Sequence, residues 1–270
     1  MTVSRFRQAL LKQFKTFHQT VVSDDGDWVV KGFIDIYKNI FPISSDTKVI
    51  SKLIELMLLP PLFDFAARHK LKIELGKHQN HYPDISFVAR NGVKIALDIK
   101  STYRTNRERV NGFTLGAFTG YFRLRNSTKN VTFPYKDYAA HLVLGVVYSR
   151  SKTTKGVERR VFSLRDLRNI VSVAKSFTFL LHEKWRIASA QPGSGNTKNI
   201  GSEKNIKTLV AGKGPFAKYG EAVFDDYWMN YLTKGMAKEI DSEVRYQNLG
   251  EYFKWRGRAR KRSRRITATH

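Results

Sequence analysis

Two carboxylates and an ammonium stand close together in the segment Pro83 to Lys100, PDISFVARNGVKIALDIK, with Asp84 near its start and Asp98 and Lys100 at its end. Two β-type runs flank Asn91-Gly92, a strong short-range hairpin signal. A two-residue loop would mix apolar and charged side chains on both faces. A three-residue loop, Arg90 to Gly92 with Gly92 left-handed, instead pairs Ile85 with Leu97, Phe87 with Ile95 and Ala89 with Val93 on one apolar face. The other face then sets Asp84 across from Asp98, and Lys100, two residues on, points to the same side. Ionised carboxylates this close repel, and a bound Mg²⁺ relieves that repulsion while leaving coordination positions for water and phosphate oxygens. Such a cation polarises a phosphodiester and activates water, and Lys100 lowers the water's pKa or balances charge on a pentacovalent transition state. The implied chemistry is metal-assisted phosphodiester hydrolysis. The plain alternative is a solvated ion pair worth under about 1 kcal/mol.

The composition supplies a substrate class. Forty-eight Lys and Arg against 23 Asp and Glu give 48 − 23 = +25, while 41% hydrophobic and 13% aromatic residues are too many for a disordered basic tail. A folded protein with a polyanionic partner is implied, nucleic acid first and an anionic membrane surface second. The absence of cysteine excludes disulfides, thiolate nucleophiles and cysteine metal sites, and fits a reducing cytoplasm. The most apolar stretch, Leu53 to Ala67, contains Glu55 and Asp64 and is interrupted by Pro60-Pro61, short of the roughly 18 to 20 apolar residues of a spanning helix. Ser4 to Phe17 has no apolar core of the signal-peptide kind and reads as an amphipathic helix packed on its own domain or on a dimer partner. Neither GxxxxGK[ST] nor GxGxxG occurs as a phosphate loop, so no ATP is expected.

The elements that must hold these residues alternate. Ser45 and Asp46 cap a helix with Val49, Ile50, Leu53, Ile54 and Met57 on one face, which Pro60 is expected to end. Strands are expected at Asp84 to Ala89, Val93 to Ile99, His141 to Tyr148 and near Glu183 to Ser189, and helices at about Ser163 to Lys175 and Phe224 to Lys238. The fold class is α/β or α+β, a central mixed sheet flanked by helices. Gln191 to Ser202, QPGSGNTKNIGS, has a loop composition. Arg256 to Arg265, seven cations in ten positions, repels itself and is expected to be mobile until it meets an anion.

Pro83-Asp84 followed by Asp98-Ile99-Lys100 resembles the PD-(D/E)xK nuclease signature. With SDTKV at Ser45 to Val49, QNHYPD at Gln79 to Asp84, FTLG at Phe113 to Gly116, GSGNTKNIGS at Gly193 to Ser202, DYW at Asp226 to Trp228 and RGR at Arg256 to Arg258, the chain resembles the EcoRV-like type II restriction endonucleases. The resemblance implies a restriction-endonuclease-like domain over residues 1–258, with an N-terminal dimerisation region and a C-terminal DNA-binding subdomain, followed by a basic flexible tail over 259–270. It implies a bacterial, cytoplasmic homodimer that clamps double-stranded DNA and cuts both strands of a palindrome with Mg²⁺, for which Mn²⁺ substitutes, beside a cognate DNA methyltransferase. Asp84, Asp98 and Lys100 match catalytic positions, and Glu55 matches an auxiliary acid and metal ligand, although beside Lys52 it reads locally as one half of a solvated pair.

Gly193, Ser194, Gly195, Asn196, Thr197, Lys198 and Asn199 match a major-groove recognition loop, where glycines allow close backbone approach, Asn196 suits adenine and Thr197 a thymine methyl. Gln79 and Asn80 match a minor-groove loop. His81 is expected to be a hydrogen-bonded structural histidine rather than a general base. Ser101, Thr102, Thr119, Arg123, Lys129, Arg256 and Arg258 are the candidate phosphate contacts. The implied site is GATATC, cut centrally to blunt ends. Two alternatives stay open: a repair or recombination nuclease of the same superfold that recognises structure, and a basic nucleic-acid-binding protein without catalysis.

Overall fold

The computed structural model describes residues 1–78, 80–152, 159–193 and 198–267, with side chains as far as Arg258. In chain order the elements are α1 (Val3–Leu11), α2 (Phe14–Val21), β1 (Gly32–Ile34), β2 (Ile40–Pro42), α3 (Thr47–Arg68), β3 (Lys72–Leu75), β4 (Ile85–Val88), β5 (Lys94–Tyr103), β6 (Thr114–Ala117), β7 (Tyr138–Arg150) and β8 (Ala174–Glu183). There follow α4 (Lys184–Ile187), β9 (Ala188–Pro192), β10 (Asn199–Ser202), α5 (Ile206–Ala211), α6 (Glu221–Asn230), α7 (Lys234–Glu239) and α8 (Leu249–Thr267). They fall into two compact units, one of residues 1–111 and 130–182, the other of 112–129 and 183–270.

In the first unit a five-stranded sheet runs β3-β4-β5-β7-β8. β3, β4 and β5 pair antiparallel, and β5 pairs parallel with β7, so the sheet is mixed as expected. The hairpin register is the one the sequence pattern demands: Ile85 pairs with Leu97 and Phe87 with Ile95, and Gly92 takes φ +79° in the turn. β5 continues past Ile99 because Lys100 to Tyr103 pair with Gly145 to Tyr148 of β7. Phe6, Phe65 and Phe87 meet edge-on or tilted, with centroids 5.0–6.1 Å apart. They bind α1 and α3 to the apolar side of the hairpin.

Five expectations about elements are corrected. The segment Ser4 to Phe17 is two helices, both packed on the unit's own core through Phe6, Leu10 and Phe17. α3 does not end at Pro60 but runs through Pro60 and Pro61 to Arg68. The prolines remove the bonds to the carbonyls of Leu56 and Met57, yet Leu58, Pro61, Leu62 and Phe65 are buried at helical spacing and hold the second half in place. The helix expected from Ser163 to Lys175 is a single 3₁₀ segment, Leu164–Asn169, with no buried residue, and β8 begins at Ala174. Glu183 to Ser189 is the short α4 between two strands rather than a strand, and the helix expected from Phe224 to Lys238 is broken at Tyr231 into α6 and α7.

The second unit has a three-stranded sheet, β6-β10-β9, and an aromatic core. Phe118 and Tyr231 pack on Trp228, and Tyr227 contacts Phe216, Tyr246 and Tyr252. The hydroxyl of Tyr227 donates to the Ala190 carbonyl at 2.7 Å and that of Tyr246 to the Tyr227 carbonyl at 2.5 Å, so these buried phenols are satisfied. Among the described residues no helix is long and apolar enough to cross a membrane.

Phe87 is 1% exposed beneath the hairpin, and Phe87→Ala should cost about 3–5 kcal/mol of stability by cavity formation. Urea unfolding checks this, and a cost below about 1 kcal/mol would show that the hairpin does not depend on the aromatic cluster.

Candidate active site

The register fixed by the apolar side of β4–β5 brings the polar residues of the other side together. Asp84, just before β4, lies across from Asp98 on β5, and its backbone N–H donates to Asp98 Oδ1 at 3.3 Å. The Ile99 N–H donates to Asp84 Oδ2 at 2.8 Å. Lys100 Nζ stands 3.1 Å from Asp84 Oδ2 and 3.8 Å from Asp98 Oδ2, so one ammonium bridges both acids. Asp98 is almost fully buried, at 3% exposure, while Asp84 and Lys100 keep about a quarter of their side chains open to solvent.

Burial, and then the charge of Asp98, push the Asp84 carboxyl up to about 6, against the pull of Lys100 and the Ile99 N–H. Burial works against the Lys100 ammonium, but Asp98 and Asp84 outweigh it, with Glu55 adding a smaller push, and the pKa is raised. Lys100 therefore stays protonated at neutral pH in this arrangement.

Asp84 opens on a cleft of about 720 Å³ lined also by Lys48, Ser51, Lys52, Glu55, Gly76, Lys77, His78 and His81. α3 supplies one wall, and its start is fixed by Asp46, whose carboxylate accepts from the N–H groups of Lys48 and Val49 at 2.7 and 3.2 Å. Glu55 faces this cleft, yet its carboxylate is held by Lys52 at 2.6 Å. Among the described residues no group of three His, Asp or Glu side chains gathers tightly enough to hold a metal by itself. The buried Asp98 and half-buried Asp84 carboxylates nonetheless form a hard-oxygen donor pair that suits a divalent cation completed by water and phosphate.

The remaining sequence-derived residues divide. Ser101 Oγ donates to Ser51 Oγ at 2.7 Å, between β5 and α3. Thr102 is 4% exposed, and its Oγ1 has no hydrogen-bond partner. Arg123 donates to the carbonyls of Trp228 and Tyr231, and Arg256 is paired in two bonds of 2.7 Å with Asp226, so both guanidinium groups tie their own unit together. Thr119 is half-buried, and Lys129, Arg258 and Asn80 are exposed. Gly193 N–H donates to the Asn199 carbonyl at 2.8 Å, next to the antiparallel pairing of β9 with β10. Lys198 lies 3.8 Å from Glu239. Ser194, Gly195, Asn196, Thr197 and Gln79 lie outside the described residues.

His81 departs from its expected role: its Nδ1 is buried without a partner, and its ring meets that of His78 edge-on at 5.0 Å. The neighbouring Tyr82 instead makes the structural bond, its hydroxyl 2.7 Å from Nδ1 of His141, which stacks on Tyr135 at 3.7 Å between centroids. Reasoning from sequence missed the cationic wall of Lys48, Lys52 and Lys77. The i, i+4 spacing of Lys48 and Lys52 on the capped helix was the available signal.

The chain has known relatives. Residues 24–257 match the family described as Restriction endonuclease EcoRV. The chain is 39% identical over 238 residues to the Type II restriction enzyme EcoRV of Escherichia coli, a match covering 86% of this chain and 92% of that protein. Among solved structures, the NlaIV restriction endonuclease aligns with 94% of this chain and 96% of its own, at a TM-score of 0.41 and 11% identity.

Because the folded chain keeps on Asp84 a proton that an unfolded chain has released above about pH 4, its metal-free stability should fall as pH rises from about 4 to about 6. Asp84→Asn is then expected to stabilise the metal-free protein by on the order of 1–3 kcal/mol near pH 7 and to give no gain below about pH 4. Urea unfolding in EDTA at the two pH values tests this. Equal effects at both would mean that Asp84 carries no electrostatic strain.

Proposed function

Because the chain belongs to the EcoRV restriction endonuclease family and is a type II restriction endonuclease, we propose that it hydrolyses both strands of a short DNA palindrome with Mg²⁺. The observation that carries the chemistry is the convergence of Asp84, Asp98 and Lys100 at one end of the β4–β5 hairpin, beside a cleft with a cationic wall. Asp84 and Asp98 would hold the divalent cation, with Glu55 available from α3. When bound, the ion neutralises charge at the scissile phosphate and favours attack by water.

The residues of this chain do the rest. Lys48, Lys52 and Lys77 attract the phosphate backbone into the cleft, and the buried hairpin holds the acids fixed while charge develops. Lys100, which keeps its proton, donates hydrogen bonds to the attacking water or to a non-bridging phosphate oxygen. Water adds to phosphorus as the 3′ oxygen departs, leaving a 5′-phosphate and a 3′-hydroxyl. Mn²⁺ is expected to replace Mg²⁺, since both accept oxygen ligands, and no step needs ATP.

The site we assign is GATATC, cut at its centre to blunt ends, read by the loop Gly193 to Asn199 in the major groove and by Gln79 and Asn80 in the minor groove. A two-fold palindrome is most simply served by a homodimer with one cleft per copy. Support for the dimer comes from the β1–β2 hairpin, where Ile36 and Tyr37 are 88% and 78% exposed beside Phe33, Ile34 and Phe41. Monomers rarely leave such a patch open. The reading also implies a host methyltransferase that protects the same site, and cytoplasmic action where the DNA is.

Incubation with plasmid and phage DNA in Mg²⁺, with fragment ends sequenced, is the direct test. Discrete blunt fragments centred on GATATC are expected, and Asp98→Ala should slow cleavage by about a hundredfold or more. Discrete fragments with other ends would discard the target while keeping the nuclease. Replacing both Ile36 and Tyr37 by Glu should shift sedimentation from dimer to monomer, and an unchanged dimer would exclude that face.

A further inference from the structure

Glu55 lines the same cleft as Asp84 but stands apart from it. Among the described residues no third acid joins Asp84 and Asp98 closely enough to complete a metal site. Glu55 is nevertheless within electrical reach of the centre, since its charge helps to hold the Lys100 ammonium protonated. Glu55 and Asp84 also share a smaller pocket of about 170 Å³, floored by Leu59, Leu75, Ile85 and Ile99. The Glu55 carboxylate is engaged elsewhere, with Lys52 Nζ 2.6 Å from its Oε1.

The backbone of α3 is not free to carry Glu55 inward. Ile54 and Leu58, on either side of it in sequence, are fully buried, and the bond from Ser101 Oγ to Ser51 Oγ ties the helix to β5. What remains is rotation of the Glu55 side chain. Turned inward without a cation, its carboxylate would add a third negative charge beside Asp84 and Asp98, over an apolar floor that offers no compensation. Lys52 therefore keeps it in the metal-free chain, and a divalent cation reverses the preference. The hold is weak. Lys52 is 60% exposed and precedes its partner at i, i+3, the less favourable order on a helix, and an exposed pair of this kind is worth a factor of about two to five. Lys52 also lines the cleft with Lys48 and Lys77, so a phosphate entering there competes with Glu55 for its ammonium.

We infer that Lys52 is a positioning residue that withholds Glu55 from the Asp84–Asp98 pair until a DNA phosphate takes the ammonium. Filling of the cleft and completion of the metal site are then coupled through one ion pair, because DNA and cation each have to open it and either one opens it for the other. This role rests on the metal-dependent cleavage of duplex DNA proposed above, and direct binding measurements separate its failure from a failure of that chemistry.

The test is a double-mutant cycle read by metal binding. Mn²⁺ is titrated into the full chain without DNA, with the free ion followed by EPR, in the unaltered protein, Lys52→Gln, Glu55→Gln and the double variant. Lys52→Gln should tighten Mn²⁺ about two- to fivefold more when Glu55 is present than in the Glu55→Gln background, the excess being the ion pair that the cation no longer has to break. Equal tightening in both backgrounds, as a plain loss of positive charge produces, would overturn the inference. Lys77→Gln removes the same charge from the cleft and should act equally in both, and a dependence on Glu55 as strong as that of Lys52 would also overturn it. The second readout is fluorescence anisotropy of a labelled GATATC duplex with and without Ca²⁺, the duplex being checked for intactness on a gel. Lys52→Gln should shrink the gain in DNA affinity that Ca²⁺ brings by about two- to fivefold, and leave that gain unchanged in the Glu55→Gln background. An undiminished gain overturns the coupling. Mn²⁺ binding that is lost in Asp98→Asn but shows no dependence of Lys52 on Glu55 removes this role alone, whereas Mn²⁺ binding untouched by Asp98→Asn removes the proposed metal site with it.

Discussion

The repulsion between Asp84 and Asp98 is the constraint around which the first unit is organised. Two carboxylates do not approach each other unless something stronger compels them, and here the compulsion comes from the opposite side of the same hairpin. Ile85, Phe87, Ile95 and Leu97 are buried in one register only, and a slip by one residue would turn that whole set toward solvent. Hydrophobic burial thus sets the electrostatics of the reactive end. Lys100 then offsets part of the strain, with its ammonium between the acids.

The same division of labour explains which parts were legible in the sequence. The hairpin could be read to the residue because alternation, the Asn-Gly turn and the apolar pairings of β4 and β5 all favour one register. The start of α3 could be read because Asp46 is a strong cap. Its continuation could not, since local rules stop a helix at Pro60-Pro61, and only the burial of Leu62 and Phe65 against distant α1 and β4 overrides them. Ser163 to Lys175 failed for the converse reason: its apolar residues fall at helical spacing, but β8 draws the segment from Ala174 onward into the sheet.

At the site, residue types were more legible than their surroundings. Asp84, Asp98 and Lys100 declared themselves through strand periodicity, whereas the pairing of Glu55 with Lys52 looked ordinary in sequence and is ordinary in geometry. Arg123 and Arg256 looked like phosphate ligands because a cation in sequence carries no record of its partner. Their bonds to Tyr231 and Asp226 arise only when helices far apart in the chain pack together. A +25 chain has many such cations, and the fold decides which of them remain available.

The chain enters the second unit twice, at residues 112–129 and again from 183 onward, and this sets an order in time as well as in space. As the polypeptide leaves the ribosome, the N-terminal part folds first, so β4 and β5 can pair and bury their aromatic side early. β6 must wait for β10, its partner some eighty residues later. The cluster of Asp84, Asp98 and Lys100 is thus assembled before β9 and β10 exist. The two units mature in sequence, and the strained carboxylate pair of the first is set before the second has the strands that close its sheet.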